Sequence, residues 1–134
     1  MDHMEAIRQL KARYFRTMDT KDWEGMRRVL ADDVVIDTTD AGGGVVRGAD
    51  GFLQFLREAI GDAVTVHHGH MPEIEVRSEA SATGTWALHD LIVWPDGRRM
   101  EGFGHYYETY ARVGEEWRIA SSVLTRLHTE FSGR

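Results

Sequence analysis

Residues 80–112 read Ala80-Ser-Ala-Thr-Gly-Thr-Trp-Ala-Leu-His-Asp-Leu-Ile-Val-Trp94, then Pro95-Asp-Gly97, then Arg98-Arg-Met-Glu-Gly-Phe-Gly-His-Tyr-Tyr-Glu-Thr-Tyr-Ala-Arg112. Two runs with a period of two meet at a polar Pro-Asp-Gly connection, which predicts a pair of long antiparallel strands. Alternate side chains of a strand share a face, so Trp86, Leu88, Asp90 and Ile92 look the same way. Along the second run His105, Tyr106, Tyr107 and Tyr110 must divide between the two faces, and an aromatic outer face reads as a subunit interface. Working outward, the same period extends over 63–77 and 116–129, with polar links at Ser78-Glu79 and Gly114-Glu115. Four antiparallel strands, at 63–77, 80–94, 98–112 and 116–129, therefore fill the second half of the chain.

Upstream the period lengthens. Ile7, Leu10, Tyr14, Phe15 and Met18 recur at steps of three and four, the stripe of an amphipathic helix that should stop near Asp19-Thr20. Arg8, Lys11, Arg13 and Arg16 are read as its solvated face. Asp22 is placed to cap a second, short helix whose Trp23, Met26, Val29 and Leu30 turn inward. Ala31-Asp32-Asp33 reads as a turn, Val34–Ile36 as a short strand and Asp40–Gly44, with three consecutive glycines, as a hairpin loop returning through Val45–Arg47. A third helix carries Phe52, Phe55, Leu56 and Ile60. The predicted fold is α+β: three N-terminal helices on one face of a strongly curved, mostly antiparallel sheet, leaving a conical hollow suited to a small molecule.

Composition bounds what such a hollow serves. The 134 residues suit a single domain, 1–134, with no shift in composition to mark a boundary. The formal net charge of −6 weighs against a nucleic-acid or anionic-membrane surface, since both need clustered Lys and Arg. With no cysteine, neither a disulfide framework nor a thiolate metal site is available, which fits a reducing compartment. Residues 1–13 carry charges throughout rather than an apolar leader core, and no apolar run reaches the length of a membrane span. A cytoplasmic location is the expectation.

Seven histidines in so short a chain raise the question of proton transfer. Four of them, His67, His68, His70 and His105, fall on predicted strands. His67 and His68 are neighbours, so only one can look into the hollow. Imidazole is the natural proton shuttle at neutral pH, above all where a carboxylate holds one tautomer. Candidate carboxylates are Asp19, at the end of the first helix, and Asp90. Tyr14, one helical turn before Asp19, offers a phenol to a substrate oxygen, and Arg126 offers a clamp for an anionic group. The run His68-Gly-His70 with Glu75 has the look of half a metal motif, but Met100 stands where a further histidine would be needed. No metal and no cofactor are expected.

The passages Ala12-Arg-Tyr-Phe-Arg-Thr-Met-Asp-Thr-Lys-Asp-Trp23, Ala31-Asp-Asp-Val-Val-Ile-Asp37, Thr65-Val-His-His-Gly-His-Met-Pro-Glu-Ile-Glu75 and Gly104-His-Tyr-Tyr-Glu-Thr-Tyr110 resemble the SnoaL-like branch of the NTF2-like (cystatin-like fold) superfamily. Over nearly the whole chain the sequence is similar to scytalone dehydratase, bile-acid dehydratase and dehydrochlorinase enzymes. That resemblance implies a cofactor-independent lyase or isomerase acting on a small hydrophobic molecule. It places the family's aspartate on Asp19 and its general-base histidine on His67, with Tyr14, Asp90 and Arg126 as substrate-binding groups. Ser122 stands where the dehydrochlorinases have an arginine, which Arg126 replaces only approximately. A second substrate tyrosine has no counterpart around Asp37 and Thr38. The resemblance also implies a homodimer or homotrimer joined through the outer sheet face. Two other readings stand beside it: a non-catalytic binding module using the same hollow, and a His-rich metal enzyme.

Overall fold

Asp2 opens the first helix by accepting the Glu5 amide on its side chain, and Asp22 does the same for Gly25 at the start of the second. The computed structural model describes residues 2–133. Its order is α1 (His3–Asp19), α2 (Trp23–Val29), β1 (Leu30–Asp37), a 3₁₀ turn (Thr39–Ala41), β2 (Val45–Arg47), α3 (Ala49–Ile60), β3 (Val64–Val76), β4 (Ser81–Val93), β5 (Arg99–Val113) and β6 (Glu116–Ser132). The four long strands fall where alternation predicts them, within a residue or two except at the last one's C-terminal end.

The six strands form one open sheet in the order β2-β1-β6-β5-β4-β3. All neighbours are antiparallel except β1 and β6, which run parallel. Ala31-Asp32-Asp33 is not a turn. It lies inside β1, where the pairing with β6 jumps from Leu30↔Ile119 to Val35↔Ser121. The extra residues form a bulge that leaves both carboxylates in water, and Asp32 accepts from Arg27. β6 carries further register shifts against β5 at Phe103/Gly104 and Thr109/Tyr110. At the first of these a Cβ on Gly104 would collide with the Thr125 carbonyl, so the bend requires glycine.

The concave face packs Trp86, Leu88, Tyr106, Tyr110, Ile119 and Leu124 against Ile7, Leu10, Tyr14 and Met18 of α1 and Phe52, Leu56 and Ile60 of α3. Close approach of α1 to β3 depends on Gly69, because a Cβ there would sit 2.6 Å from the Phe15 ring. That approach brings the C-terminal end of α1 over the start of β3. Lys11 departs from the expected solvated face and is fully buried. Along β5, Tyr106 and Tyr110 turn inward while His105 and Tyr107 turn outward. Among the described residues no helix is long and apolar enough to cross a membrane.

Candidate active site

Asp19 is the last residue of α1, and its carboxylate reaches across to β3. Oδ1 lies 2.7 Å from Nδ1 of His67, and Oδ2 accepts the His67 backbone N–H at 2.8 Å. Two bonds to one residue fix the orientation of the carboxylate and call for the imidazole proton on Nδ1, turning Nε2 away from Asp19. Thr65, two residues earlier on the same strand face, adds a hydroxyl donor to Oδ1 at 2.9 Å, and Lys21 Nζ donates to that hydroxyl at 2.7 Å. The rings of Phe15 and His67 lie nearly parallel, 13° apart, with their centres 6.3 Å from each other.

Asp90 stands opposite His67 in the β3–β4 ladder, and its Oδ2 is 3.9 Å from His67 Nε2. Arg126, from β6, forks onto this carboxylate, with Nη1 to Oδ1 at 2.7 Å and Nη2 to Oδ2 at 3.0 Å. The pair is nearly inaccessible to water, a setting in which bidentate geometry counts most. Gly102 makes room for it, since a Cβ there would meet both side chains. The Arg126 backbone N–H donates to Asp40 in the 3₁₀ turn, tying the β1–β2 loop to β6. Its buried Nε–H has no acceptor among the described residues.

These groups line a cavity of about 210 Å³. Tyr14, His67, Asp90, Tyr106, Ser122 and Arg126 form its polar side, while Phe52, Phe55, Leu56, Ile92, Trp94 and Phe131 are among its apolar walls. Burial, and then the nearby Glu108 carboxylate, push the Tyr14 phenol far above its ordinary value, so it stays protonated and can donate. Burial does the same to Tyr106, with Tyr14 and Asp90 adding to it. All five residues singled out in the sequence thus converge: Asp19 and His67 as a bonded pair, Asp90 and Arg126 as a second pair beside it, and Tyr14 on the same wall.

Sequence reasoning missed a second buried network. Lys11 Nζ donates to Glu108 Oε2 at 2.7 Å, Ser122 Oγ donates to the same oxygen at 2.8 Å, and Tyr110 donates to Oε1 at 2.8 Å. Trp86 Nε1–H in turn donates to the Tyr110 hydroxyl. The Lys11 ammonium lies 3.7 Å from the centre of the Tyr106 ring and 4.0 Å from that of Tyr14, on their faces. The signal was present: Lys11 is four residues after Ile7 and three before Tyr14, on the apolar stripe itself. Ser122 borders the cavity with its hydroxyl already committed to Glu108, so Arg126 is the cation on that wall.

The remaining histidines lie elsewhere. His68 is exposed, with its ring centre 6.2 Å from that of His70 and 6.5 Å from that of His89. Among the described residues no group of three or more His, Asp or Glu is placed to hold a metal ion.

A family model described as SnoaL-like domain matches residues 1–123. Among solved structures, a candidate aromatic ring hydroxylase from Novosphingobium aromaticivorans superimposes with a TM-score of 0.88 at 21% identity, covering 100% of this chain and 96% of that one. A candidate scytalone dehydratase from the same organism gives 0.87 at 22% identity over 98% and 88%. A hexachlorocyclohexane dehydrochlorinase from Novosphingobium barchaimii gives 0.83 at 16% over 97% and 90%. At these identities the likeness is one of fold.

Proposed function

The chain belongs to the SnoaL-like domain family, and from that premise we propose that it is a cofactor-independent lyase or isomerase, using Asp19 and His67 to move a proton on a small hydrophobic substrate. The observation that carries this reading is the bonded Asp19–His67 pair, its imidazole buried and its carboxylate partly so, with Nε2 on the cavity side beside Asp90. Nε2 takes a proton from a carbon activated by a neighbouring carbonyl or ring. The C–H electrons form a new double bond while a bond to a leaving hydroxyl or halide breaks. A leaving hydroxyl departs as water after receiving a proton from the imidazolium or through Tyr14; in an isomerisation the imidazolium returns the proton to another carbon. Asp19 stabilises the transient imidazolium. Tyr14 keeps its proton and lines the cavity, so it is placed to donate to the oxygen on which charge develops, while Arg126 holds Asp90 beside it.

The substrate read from this site is a small, uncharged, hydrophobic molecule. Asp90 is already paired with Arg126 and Glu108 with Lys11, so no cation is free to hold a substrate carboxylate. The test follows exchange rather than product, because the leaving group is unknown. Small cyclic β-hydroxyketones and ketones are incubated with the protein in D₂O and deuterium uptake at the activated carbon is read by NMR. His67→Gln should lower the exchange rate by about 10²-fold or more, and Asp19→Asn by somewhat less. Exchange in His67→Gln equal to the parent's would remove the base from the reading.

A non-catalytic binding module is the second reading. It is favoured by the same bonds, which also tie α1 to the sheet. It expects tight binding of a ring compound, unaltered by Asp19→Asn, with no exchange.

A further inference from the structure

An imidazole flanked by carboxylates tends to hold its proton, because each anion nearby favours the charged ring. His67 has two such neighbours, Asp19 on Nδ1 and Asp90 on the Nε2 side. A base that is already protonated cannot accept a proton from carbon, so the site needs opposing positive charge. Asp90 has it directly, in the fork from Arg126. The cation associated with Asp19 is one residue removed. Lys21 Nζ donates to Thr65 Oγ1 at 2.7 Å, and that hydroxyl donates to Asp19 Oδ1 at 2.9 Å, the same oxygen that meets His67 Nδ1.

The backbone is shaped for this contact. Lys21 takes φ 59°, a left-handed conformation that residues with side chains seldom adopt, in a turn closed by Lys21 N–H to Met18 O and Asp22 N–H to Thr17 O. Thr65 is 4% exposed, so its hydroxyl is held between the two charges with little competition from water. The other polar groups around His67 are accounted for. Tyr14 of α1 and Tyr106 of β5 are neutral phenols, while Arg8 and Arg16 of α1 and His68 and His70 of β3 line a second cleft together with Asp19 and His67, with no side-chain bond to either.

We infer that Lys21, acting through Thr65, is the counter-charge that balances Asp19 beside His67 and so tunes that imidazole as a base. Lys21 and Thr65 are positioning residues for the proposed Asp19–His67 base, and the inference rests on that reading. Removing the lysine charge leaves Asp19 more negative toward the ring. Removing the hydroxyl returns the full Oδ1 lone-pair density to Nδ1–H. Both changes favour the imidazolium, while the two bonds from His67 to Asp19 keep the carboxylate in place.

The experiment is an NMR titration of the imidazole nitrogens in ¹⁵N-histidine-labelled protein, which needs no substrate. In Lys21→Met and Thr65→Val the His67 titration midpoint should move to higher pH by roughly half a unit to one unit. Thr65→Ser should restore the parent midpoint, and Lys21→Arg should hold it. Lys21 is at the surface, so its Met variant is expected to fold, which circular dichroism checks. A midpoint in folded Lys21→Met that stays put or moves down overturns the inference, since a merely structural lysine would not shift it. Failure of the catalytic reading shows elsewhere, as absence of deuterium exchange in the parent protein.

Discussion

Glu108 receives Lys11, Ser122 and Tyr110 at once in an interior closed to water, and this makes single substitutions there unusually costly. Burial pulls the Lys11 ammonium below its ordinary value, with Glu108 opposing that pull. Lys11→Met strands a buried carboxylate and should lower unfolding stability by about 3–5 kcal/mol in urea titrations. Lys11→Met with Glu108→Gln should cost less than Lys11→Met alone, because the amide needs no counter-ion. A double variant weaker than the single would show that the pair acts through something other than its charges. At this scale the sequence was informative where residue type and chemistry coincide, as for Asp19 and His67. It misled where a lysine stood on an apolar stripe, because periodicity assigns a face while only a partner such as Glu108, 97 positions away, reveals why a charge can be buried there.

Strands are the most legible elements, since alternation over 13 to 17 residues is hard to mimic. The bulge in β1 was not legible. Two aspartates in a row read as a turn, and only the paired strand shows that the chain continues extended past them. Beyond boundaries, the convex face of β4, β5 and β6 bears Phe103, Tyr107 and Val123, each 40–49% exposed. Phe103 stacks on His89 at 4.6 Å. Such an uncovered apolar face on a sheet suits a second copy of the chain, as a homodimer or homotrimer. Tyr107→Lys with Val123→Lys should then halve or further reduce the mass seen by sedimentation at micromolar protein. A parent sedimenting as a monomer would refute the assembly.

For the molecule as a whole, three buried phenols govern behaviour in alkali. Burial raises Tyr14, Tyr106 and Tyr110 above the ordinary 10.0, with Glu108 adding to Tyr14 and Tyr110. The unfolded chain therefore loses these protons first. Their stabilising contribution is complete below pH 10 and declines above it, by about 1.4 kcal/mol per pH unit for each tyrosine. Lys11 acts in the opposite sense, but only below its unfolded value of 10.5. Urea unfolding between pH 10.5 and 11.5 should accordingly show stability falling by about 3–4 kcal/mol. A flat profile there would mean that the phenols ionise as readily inside as outside.

The parallel seam between β1 and β6 has a consequence for how the protein comes into being. Asp40 and Arg126, which meet beside it, are 86 residues apart in sequence. During synthesis the helices and the first hairpin emerge with no ladder to join, and the hollow has no far wall until the final strand slots between two waiting neighbours. Until that insertion the apolar inner face of the half-built sheet stays uncovered, a state prone to association.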